Sequence, residues 1–266
     1  MPVSASPTRK LAAIGAVIAL VIAVIAIGIA VGKAVEGGRG TGAADAPGAA
    51  ASVRPDEDPA QQKMYDDLAQ QTSRRKDGDP LAIGKKDAPV VLVEYADYQC
   101  SFCGRFTRET QPALIKKYVD AGTLRIEFRN FTLYGADSER AARASWAAGQ
   151  QGRFWQLHDE LYAKTRKGDA LAEDKLVGMA RTSGVKDIEK FRSDMNGADA
   201  GRALKEDQGE GYQLGVQSTP SFLVNGRPVA GAQPTEVFEQ AVRDAAATAD
   251  KNGGGKGGDG GKGAGK

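Results

Sequence analysis

The sequence predicts an α/β fold with an inserted block of helices, preceded by one long apolar segment. A β-branched run, Val90 to Val93, and an alternating run, Leu124 to Leu133, are each followed by a helical pattern. Near the end, Asn225-Gly226 separates two short strand patterns ahead of a last helix, which is the pattern of a β-hairpin. The predicted order is therefore strand, helix, strand, helical block, hairpin and helix.

The first predicted strand is continuously apolar and follows Pro89, as expected for a strand buried on both faces of a sheet. The helix after it starts near Phe102 and repeats apolar residues at helical spacings. It stops at Ala121-Gly122, and a kink is expected at Pro112. The second strand alternates apolar with polar residues.

The helical block opens at Ser138 and is interrupted near Gly149 and Gly152, which predicts either two helices or one broken helix. It then forms an inserted helical domain at about residues 137–215. Three further helical patterns complete it, at 173–181, 187–195 and 201–214.

The folded part closes with a strand at 221–224, a hairpin partner that begins at Arg227, and a helix. Pro234 and Thr235 start this helix, and its apolar face continues to about Asp250. The complete order is that of a thioredoxin fold carrying a helical insertion.

The charge balance argues against a nucleic-acid partner. The 266 residues include 36 Lys and Arg against 34 Asp and Glu, a formal net charge of +2. The last sixteen residues carry four of the lysines and one aspartate, so the rest of the chain is nearly neutral. Nucleic-acid recognition needs a concentrated basic face, which this composition does not supply.

Residues 11–32 are uncharged and long enough, at 1.5 Å per residue, to cross about 30 Å of hydrocarbon. They predict a single-pass signal anchor, with residues 1–10 as a cytoplasmic tail and the folded domain outside the cytoplasm. A cleaved secretory signal is the alternative, although its apolar region is usually about 7 to 15 residues long.

Composition divides the rest of the chain. Residues 33–76 are predicted to be a flexible linker, rich in Gly, Ala and Pro at its start, with a short helix within 61–76. Residues 77–250 carry the alternating patterns and form the folded domain. The Gly- and Lys-rich residues 251–266 are predicted to be a disordered tail.

The two cysteines of the chain form the motif Cys100-Ser101-Phe102-Cys103 where a strand turns into a helix. The helix N-terminus stabilises a thiolate, so Cys100 is the predicted nucleophile. Cys103, one turn later and shielded, is the predicted resolving thiol. A permanent disulfide closing this short loop would add little stability. A metal carrier is a further alternative, although one histidine, His158, leaves too few soft ligands for a structural zinc site.

Three separated segments resemble the DsbA-like thiol-disulfide oxidoreductases in order and spacing. They are GKKDAPVVLVEYADYQCSFCGRF from Gly84, FWQLHDELY from Phe154, and VQSTPSFLVNGRPVAG from Val216. The resemblance covers roughly residues 80–250 and implies a thioredoxin fold with a helical insertion, active outside the cytoplasm. The anchored form with a Gly/Ala-rich tether is similar to those of Gram-positive actinobacteria.

The resemblance also implies roles for individual residues. Cys100 attacks and Cys103 resolves, while Glu94, six residues before Cys100, matches a buried carboxylate that exchanges a proton with the resolving thiol. Thr219-Pro220 matches a cis-proline loop that faces the CxxC motif and pairs with an extended substrate segment. The alternatives are an exposed glutamate at a strand end and an ordinary trans proline.

Ser101 and Phe102 complete the predicted substrate-binding surface, and they also depart from the family. Relatives with oxidase activity often carry Pro and His between the cysteines, and a cationic histidine there would make the disulfide a stronger oxidant. Nearby, Asp97 is expected to shape the turn before Cys100. His158, among apolar helical neighbours, is expected to be a packed, hydrogen-bonded core residue.

The predicted activity is disulfide formation or exchange in cysteine-containing exported proteins. No bound cofactor and no metal are required, and by resemblance a quinone-linked membrane oxidase would reoxidise the pair. A disulfide isomerase or a reductase of the same fold stays open, as does a non-catalytic cell-surface scaffold. Direction of electron flow, substrates, redox partner and oligomeric state are not predictable from the sequence.

Overall fold

The computed structural model describes residues 58–254. The predicted cytoplasmic tail, signal anchor and first part of the linker lie outside the described residues, as does the C-terminal tail beyond Gly254. No helix among the residues described is both long and apolar enough to cross a membrane.

Five strands form one sheet in the order β1-β3-β2-β4-β5, with β2 parallel to β3 and the other neighbours antiparallel. The central strand β2 pairs with β3 along its whole length, from Val90 opposite Leu124 to Ala96 opposite Asn130. The strands are β1 (Ala82–Ile83), β2 (Val90–Ala96), β3 (Leu124–Asn130), β4 (Ser221–Val224) and β5 (Arg227–Ala230).

Strand β2 is buried at every position, which confirms the prediction from its apolar run. Alternate side chains of a strand point to opposite faces. Accordingly, Val90 and Leu92 join one hydrophobic cluster, whereas Val91, Val93 and Tyr95 join another on the opposite face of the sheet.

Helix α1 (Pro59–Thr72) lies on the second of these faces, where Leu68 packs in the cluster of Val91, Val93 and Tyr95. The chain after it is also held, because the amides of Arg74 and Arg75 each donate to the Glu127 carboxylate at 2.9 Å. The short helix predicted within residues 61–76 is present, although it begins earlier, at Pro59, and packs on the sheet. The packing of this helix against the sheet was not predictable from the sequence, because the helix has few apolar residues.

Helix α2 runs over residues 101–119 from the end of the loop after β2. It comprises α-helical Ser101–Arg105, π-helical Phe106–Thr110, α-helical Gln111–Leu114 and π-helical Ile115–Val119. Pro112 cannot donate a backbone hydrogen bond, and the wider π turns lie on both sides of its segment. Two π-helical segments thus flank the position where the sequence predicts a kink.

The insertion between β3 and β4 consists of five α-helices and one short 3₁₀ helix. The break predicted near Gly149 and Gly152 separates the first two helices. The elements are α3 (Ala136–Gly149), α4 (Phe154–Tyr162), the 3₁₀ helix Gly168–Leu171, α5 (Glu173–Thr182), α6 (Ile188–Asn196) and α7 (Ala198–Gln213).

The chain ends in the predicted hairpin and helix. Asn225 and Gly226 both have positive φ, at 44° and 78°, as a two-residue hairpin turn requires. Helix α8 (Thr235–Gly254) packs on the same face of the sheet as α2, where Phe238 contacts Phe106 and Phe222. It continues four residues beyond the predicted end, into the segment expected to be tail.

Candidate active site

Cys100 lies at the N-terminus of helix α2, where the loop after β2 ends. It is the N-cap residue, and its sulfur accepts a hydrogen bond from the amide of Cys103 at 3.4 Å. Its own amide donates to the carbonyl of Asp97 at 3.0 Å, which closes the preceding turn. The helix start predicted at the CxxC motif is confirmed.

Asp97 is fully buried and joins three segments around this turn. Its Oδ1 accepts from the Gln99 amide at 2.7 Å and from the Ser138 hydroxyl at 2.6 Å. Its Oδ2 accepts from the amides of Leu133 at 2.6 Å and Tyr134 at 3.3 Å. One carboxylate therefore fixes the active-site turn to the loop after β3 and to the first helix of the insertion.

The Cys100 thiol is more acidic than an ordinary cysteine. Its pKa is lowered from a usual value near 9 to about 6, chiefly by a hydrogen bond with the Cys103 side chain and against an opposing effect of burial. The neighbouring Thr219 and hydrogen bonds from the first amides of the helix lower the pKa further. At neutral pH the side chain is mainly a thiolate.

The Cys103 thiol behaves in the opposite way. It is 0% exposed, and burial raises its pKa well above 9, with further contributions from Cys100 and Glu94. Both cysteines carry free thiols in this structure. The predicted pair of an acidic outer thiol and a shielded inner thiol is present.

Glu94 points to the same face of the sheet as Leu92 and is 0% exposed, so the alternative of an exposed glutamate at a strand end is wrong. Neither carboxylate oxygen has a hydrogen-bond partner in the protein. Burial, together with the nearby Cys100, raises the pKa of this carboxyl from 4.5 to about 8. A group with this pKa can give or take a proton near neutral pH.

The Thr219-Pro220 peptide bond is cis, and the loop that contains it faces the nucleophile. In its protonated form the Cys100 thiol donates to the Thr219 carbonyl at 3.2 Å. The Thr219 hydroxyl is buried and lacks a hydrogen bond. The sequence-predicted contact between the two motifs, which lie 119 residues apart, is thus present.

Ser101 and Phe102 are both exposed, as expected of residues that meet a substrate. Phe102 is 56% exposed, and the Arg105 guanidinium lies over its ring, 5.2 Å from the ring centroid. Tyr134, 55% exposed, follows on the loop that Asp97 fixes, and its carbonyl accepts from the Gln99 side chain at 3.1 Å. No local sequence pattern pointed to Tyr134, because the contact depends on how two distant loops meet.

His158 is a packed core residue, as predicted. It is 0% exposed and its ring contacts five aromatic rings, those of Tyr98, Phe128, Phe154, Trp155 and Tyr162. Across residues 58–254, no group of three or more His, Cys, Asp or Glu side chains could hold a metal ion.

The site combines an acidic thiol at a helix N-terminus, a buried second thiol and a cis-proline loop that faces them. A dithiol site of this kind can exchange disulfides. Together with the fold, this site places the chain in the class of thioredoxin-fold thiol-disulfide oxidoreductases. The family model described as "Thioredoxin" matches residues 76–244. The chain belongs to this family, in its DsbA-like branch.

Individual relatives agree with this assignment. The chain is 33% identical over 150 residues to a probable disulfide bond formation protein D of Bacillus cereus, which covers 54% of this chain and 69% of that protein. A thioredoxin-like oxidoreductase of Silicibacter pomeroyi superposes with a TM-score of 0.53 at 29% identity, over 63% of this chain and 96% of that one.

The oxidised BdbD of Bacillus subtilis has the same fold. It superposes with a TM-score of 0.60 at 24% identity, over 64% of this chain and 94% of that one. The chain is therefore a protein thiol-disulfide oxidoreductase with a DsbA-like fold.

Proposed function

We propose that this protein is a membrane-tethered oxidoreductase that forms disulfides in exported proteins through Cys100 and Cys103. The observation that carries the proposal is the contrast between the two thiols. The pKa of the outer thiol is lowered and its sulfur lies 3.2 Å from the Thr219 carbonyl oxygen, whereas the inner thiol is buried and its pKa is raised. A low pKa makes Cys100 a good leaving group, which favours release of disulfides to substrates.

The oxidised pair would act in two exchange steps. A substrate thiolate attacks the Cys100 sulfur, the Cys100–Cys103 bond breaks, and Cys103 leaves as a thiolate and takes up a proton. A second substrate thiolate then attacks the substrate sulfur of the mixed disulfide and releases Cys100 as a thiolate. Two electrons pass from the substrate thiols to the protein disulfide, and another disulfide or an external oxidant must reoxidise the dithiol that results.

Other residues would support these steps. Glu94 would supply the proton that Cys103 takes up, because its raised pKa keeps part of it protonated at neutral pH. The Thr219-Pro220 loop would pair with an extended substrate segment beside Cys100. The exposed Ser101 and Phe102 would contact the same segment.

The location is part of the proposal. The apolar residues 11–32 would anchor the chain, and the dithiol would then act outside the cytoplasm on cysteine-containing exported proteins, where disulfides persist. A quinone-linked membrane oxidase would reoxidise the pair. Labelling of intact cells with a membrane-impermeant maleimide tests this location, since a cytoplasmic Cys100 would stay unmodified until the cells are opened.

The reduction potential of the pair, measured by equilibration in glutathione buffers, tests the direction of the reaction. A value of about −120 to −180 mV would support donation or reshuffling of disulfides, whereas a value near about −270 mV would support a reductant. Ser101 and Phe102 supply no cation beside Cys100, so the weaker end of the oxidising range is expected.

Two variants provide the controls. Cys103→Ser should accumulate a mixed disulfide between Cys100 and substrate, because the resolving thiol is missing. Cys100→Ser should abolish exchange. Retention of cellular function by Cys100→Ser would contradict the enzymatic proposal and support the cell-surface scaffold.

A further inference from the structure

Arg105 lies on the exposed side of helix α2, five residues after Cys100, and two contacts hold its side chain. Its guanidinium lies over the Phe102 ring, 5.2 Å from the ring centroid, which is within the range of a cation–π contact. Its Nη2 donates to the Ala232 carbonyl at 2.6 Å. The contact with Phe102 places the charge on the Cys100 side of Arg105, since helical side chains point towards the N-terminus.

Ala232 belongs to the segment that joins β5 to α8, and this segment is tied to the cis-proline loop. The amide of Gly231 donates to the Pro220 carbonyl at 3.2 Å. Pro220 belongs to the loop that faces the reactive sulfur. Arg105 therefore connects the CxxC helix to the segment that supports the cis-proline loop, at the border of the site.

No ion pair neutralises the charge of Arg105 within the described part of the chain. The side chain bonds a carbonyl and contacts a ring, and no carboxylate of residues 58–254 pairs with it. Glu109 follows four residues later, the spacing at which α-helical side chains meet. However, the π-helical turn Phe106–Thr110 interrupts that spacing. The guanidinium thus keeps N–H donors that its two contacts do not use.

Other arginines on helix surfaces differ from Arg105 in this respect. Four of them have an acidic partner three or four residues earlier in the same helix, in the pairs Asp137–Arg140, Glu139–Arg143, Asp199–Arg202 and Glu239–Arg243. The corresponding positions before Arg105 hold Ser101 and Phe102. With Tyr134 and Tyr212, Phe102 is one of three large hydrophobic side chains that are more than half exposed among the described residues. An exposed ring therefore stands where an acidic partner would neutralise the cation.

We propose that Arg105, with the Phe102 ring beside it, is a specificity-determining residue that binds a carboxylate of the substrate near its reactive cysteine. This role rests on the proposed function, because only a bound polypeptide brings such a group to this position. A guanidinium presents paired N–H donors that match the two oxygens of a carboxylate. The exposed ring would pack against the aliphatic part of the same Asp or Glu side chain.

The geometry of the helix sets where the acidic residue lies in the substrate. Arg105 is five residues from Cys100, which is about 7.5 Å along the helix axis. An extended segment advances about 3.3 Å per residue, so the carboxylate is expected about two or three residues from the substrate cysteine. Substrate cysteines with an acidic residue at this distance would react faster than cysteines in neutral surroundings.

The test compares dithiol peptides that differ by one charge. In one pair, Glu or Gln occupies the third position before the first cysteine, and in a second pair it occupies the third position after it. The second-order rate constant is measured for oxidation of each peptide by the oxidised full-length protein. We expect one pair to show a preference of about five-fold for Glu, the size of a favourable exposed ion pair. Raising the salt from about 0.05 M to about 0.5 M should weaken this preference.

Three variants of Arg105 separate its charge from its structural contact. Arg105→Gln should lose the preference for Glu. Arg105→Lys keeps the charge without the forked donors and should retain part of the preference. Arg105→Glu should reverse it, so that a peptide with Lys at the same position reacts faster than the Glu peptide. If Arg105→Glu fails to fold, the first two variants carry the test.

Arg108→Gln is the matched control. Arg108 is also exposed and also donates to a backbone carbonyl, that of Tyr162, but on the side of α2 that faces the insertion. Loss of its charge should leave the preference for Glu in place.

Equal rates for Glu and Gln in both peptide pairs would overturn the role of Arg105, and so would a preference that persists in Arg105→Gln. A fall in rate that is equal for the Glu and Gln peptides in Arg105→Gln would also overturn it, and would leave Arg105 as a structural link to Ala232. If the wild type oxidises none of the peptides, the proposed function itself fails.

Discussion

Cys100 and Cys103 are chemically identical side chains three residues apart, and their surroundings separate their acidities. The first receives hydrogen bonds from the Cys103 side chain and from helix amides, which favour the thiolate. The second is enclosed and lies near Cys100 and Glu94, which favour the thiol. The difference comes from one helical turn of displacement, which places one sulfur at the helix N-terminus and the other beneath it.

Alkylation of Cys100 by iodoacetamide should therefore reach half of its maximal rate near pH 6 instead of near pH 9. The pKa of about 6 means that the reactive thiolate forms as the pH rises through 6. Cys103→Ala removes the largest cause of the shift and should move the midpoint upwards. Ser101→Ala, at an exposed neighbour, is the control and should leave it in place. A wild-type midpoint near pH 9 would contradict this account of the site.

The roles of single residues were only partly predictable from the sequence. The cysteine order followed from the helix start, because the N-terminus of a helix stabilises a thiolate whatever the remainder of the fold. The four hydrogen bonds of Asp97 could not be predicted. Two of them come from the amides of Leu133 and Tyr134, about 36 residues away, and a backbone amide leaves no mark in a sequence.

At the level of elements, the hairpin and helix α1 constrain each other. The guanidinium of Arg227 lies over the ring of Tyr65 in α1, 4.7 Å from the ring centroid. Gly226 of the turn lies so close to the helix that an added Cβ would meet the Tyr65 carbonyl and the Ala69 amide. The glycine thus serves both the turn, with φ of 78°, and the contact with α1.

Gly226→Ala should consequently destabilise the protein by more than positive φ alone explains. Backbone strain from a non-glycine residue at positive φ costs about 1 to 2 kcal/mol, and the clash with α1 adds to it. Gly152→Ala is the matched control, because Gly152 has φ of 68° with no atom within 4 Å of an added Cβ. Urea unfolding should show a clearly larger loss for Gly226→Ala, and equal losses would argue that α1 does not pack on the turn.

Elements with a strong local pattern were predicted well. The strand at Ser221–Val224 and its partner at Arg227–Ala230 have the expected bounds, because a two-residue turn fixes the register of both strands. The two-residue strand Ala82–Ile83 was missed, since it exists only through its pairing with Ile126 and Glu127. The docking of α1 was also missed, because its buried face has few apolar residues.

On the scale of the whole molecule, a buried network of charges joins α1, the sheet and the insertion. Glu127, 0% exposed, lies between Arg125 at 2.7 Å and Arg129 at 2.9 Å. Arg129, also 0% exposed, reaches Glu210 in helix α7 at 3.0 Å and the Thr72 carbonyl at the end of α1 at 2.9 Å. Three parts of the chain that are distant in sequence therefore depend on one set of charges.

Glu127→Gln should destabilise the protein by about 3 to 5 kcal/mol, because it leaves two buried guanidinium groups without their carboxylate. Glu239→Gln is the control, since Glu239 pairs with a half-exposed Lys117 and should cost less than about 1 kcal/mol. Urea unfolding at neutral pH measures both. A loss for Glu127→Gln no greater than for the control would contradict the importance of the network.

The same network sets a response to acid. Although burial acts in the opposite direction, hydrogen bonds and charges from Arg125 and Arg129 lower the pKa of Glu127 to about 2. The stabilisation is present above the ordinary value near 4.5 and is lost as the pH falls towards 2. Glu127→Gln should therefore lose less stability than the wild type between pH 4.5 and pH 2.

The position of α1 also settles where the preceding chain joins the folded body. Tyr65 lies beside the Asn225-Gly226 turn at one end of β4, whereas Pro220 and Cys100 lie at the other end. Residue 58, seven positions before Tyr65, thus enters on the side of the sheet away from the reactive sulfur. A pull on the chain at this junction would load the helix and the turn, and not the loop that carries Cys100.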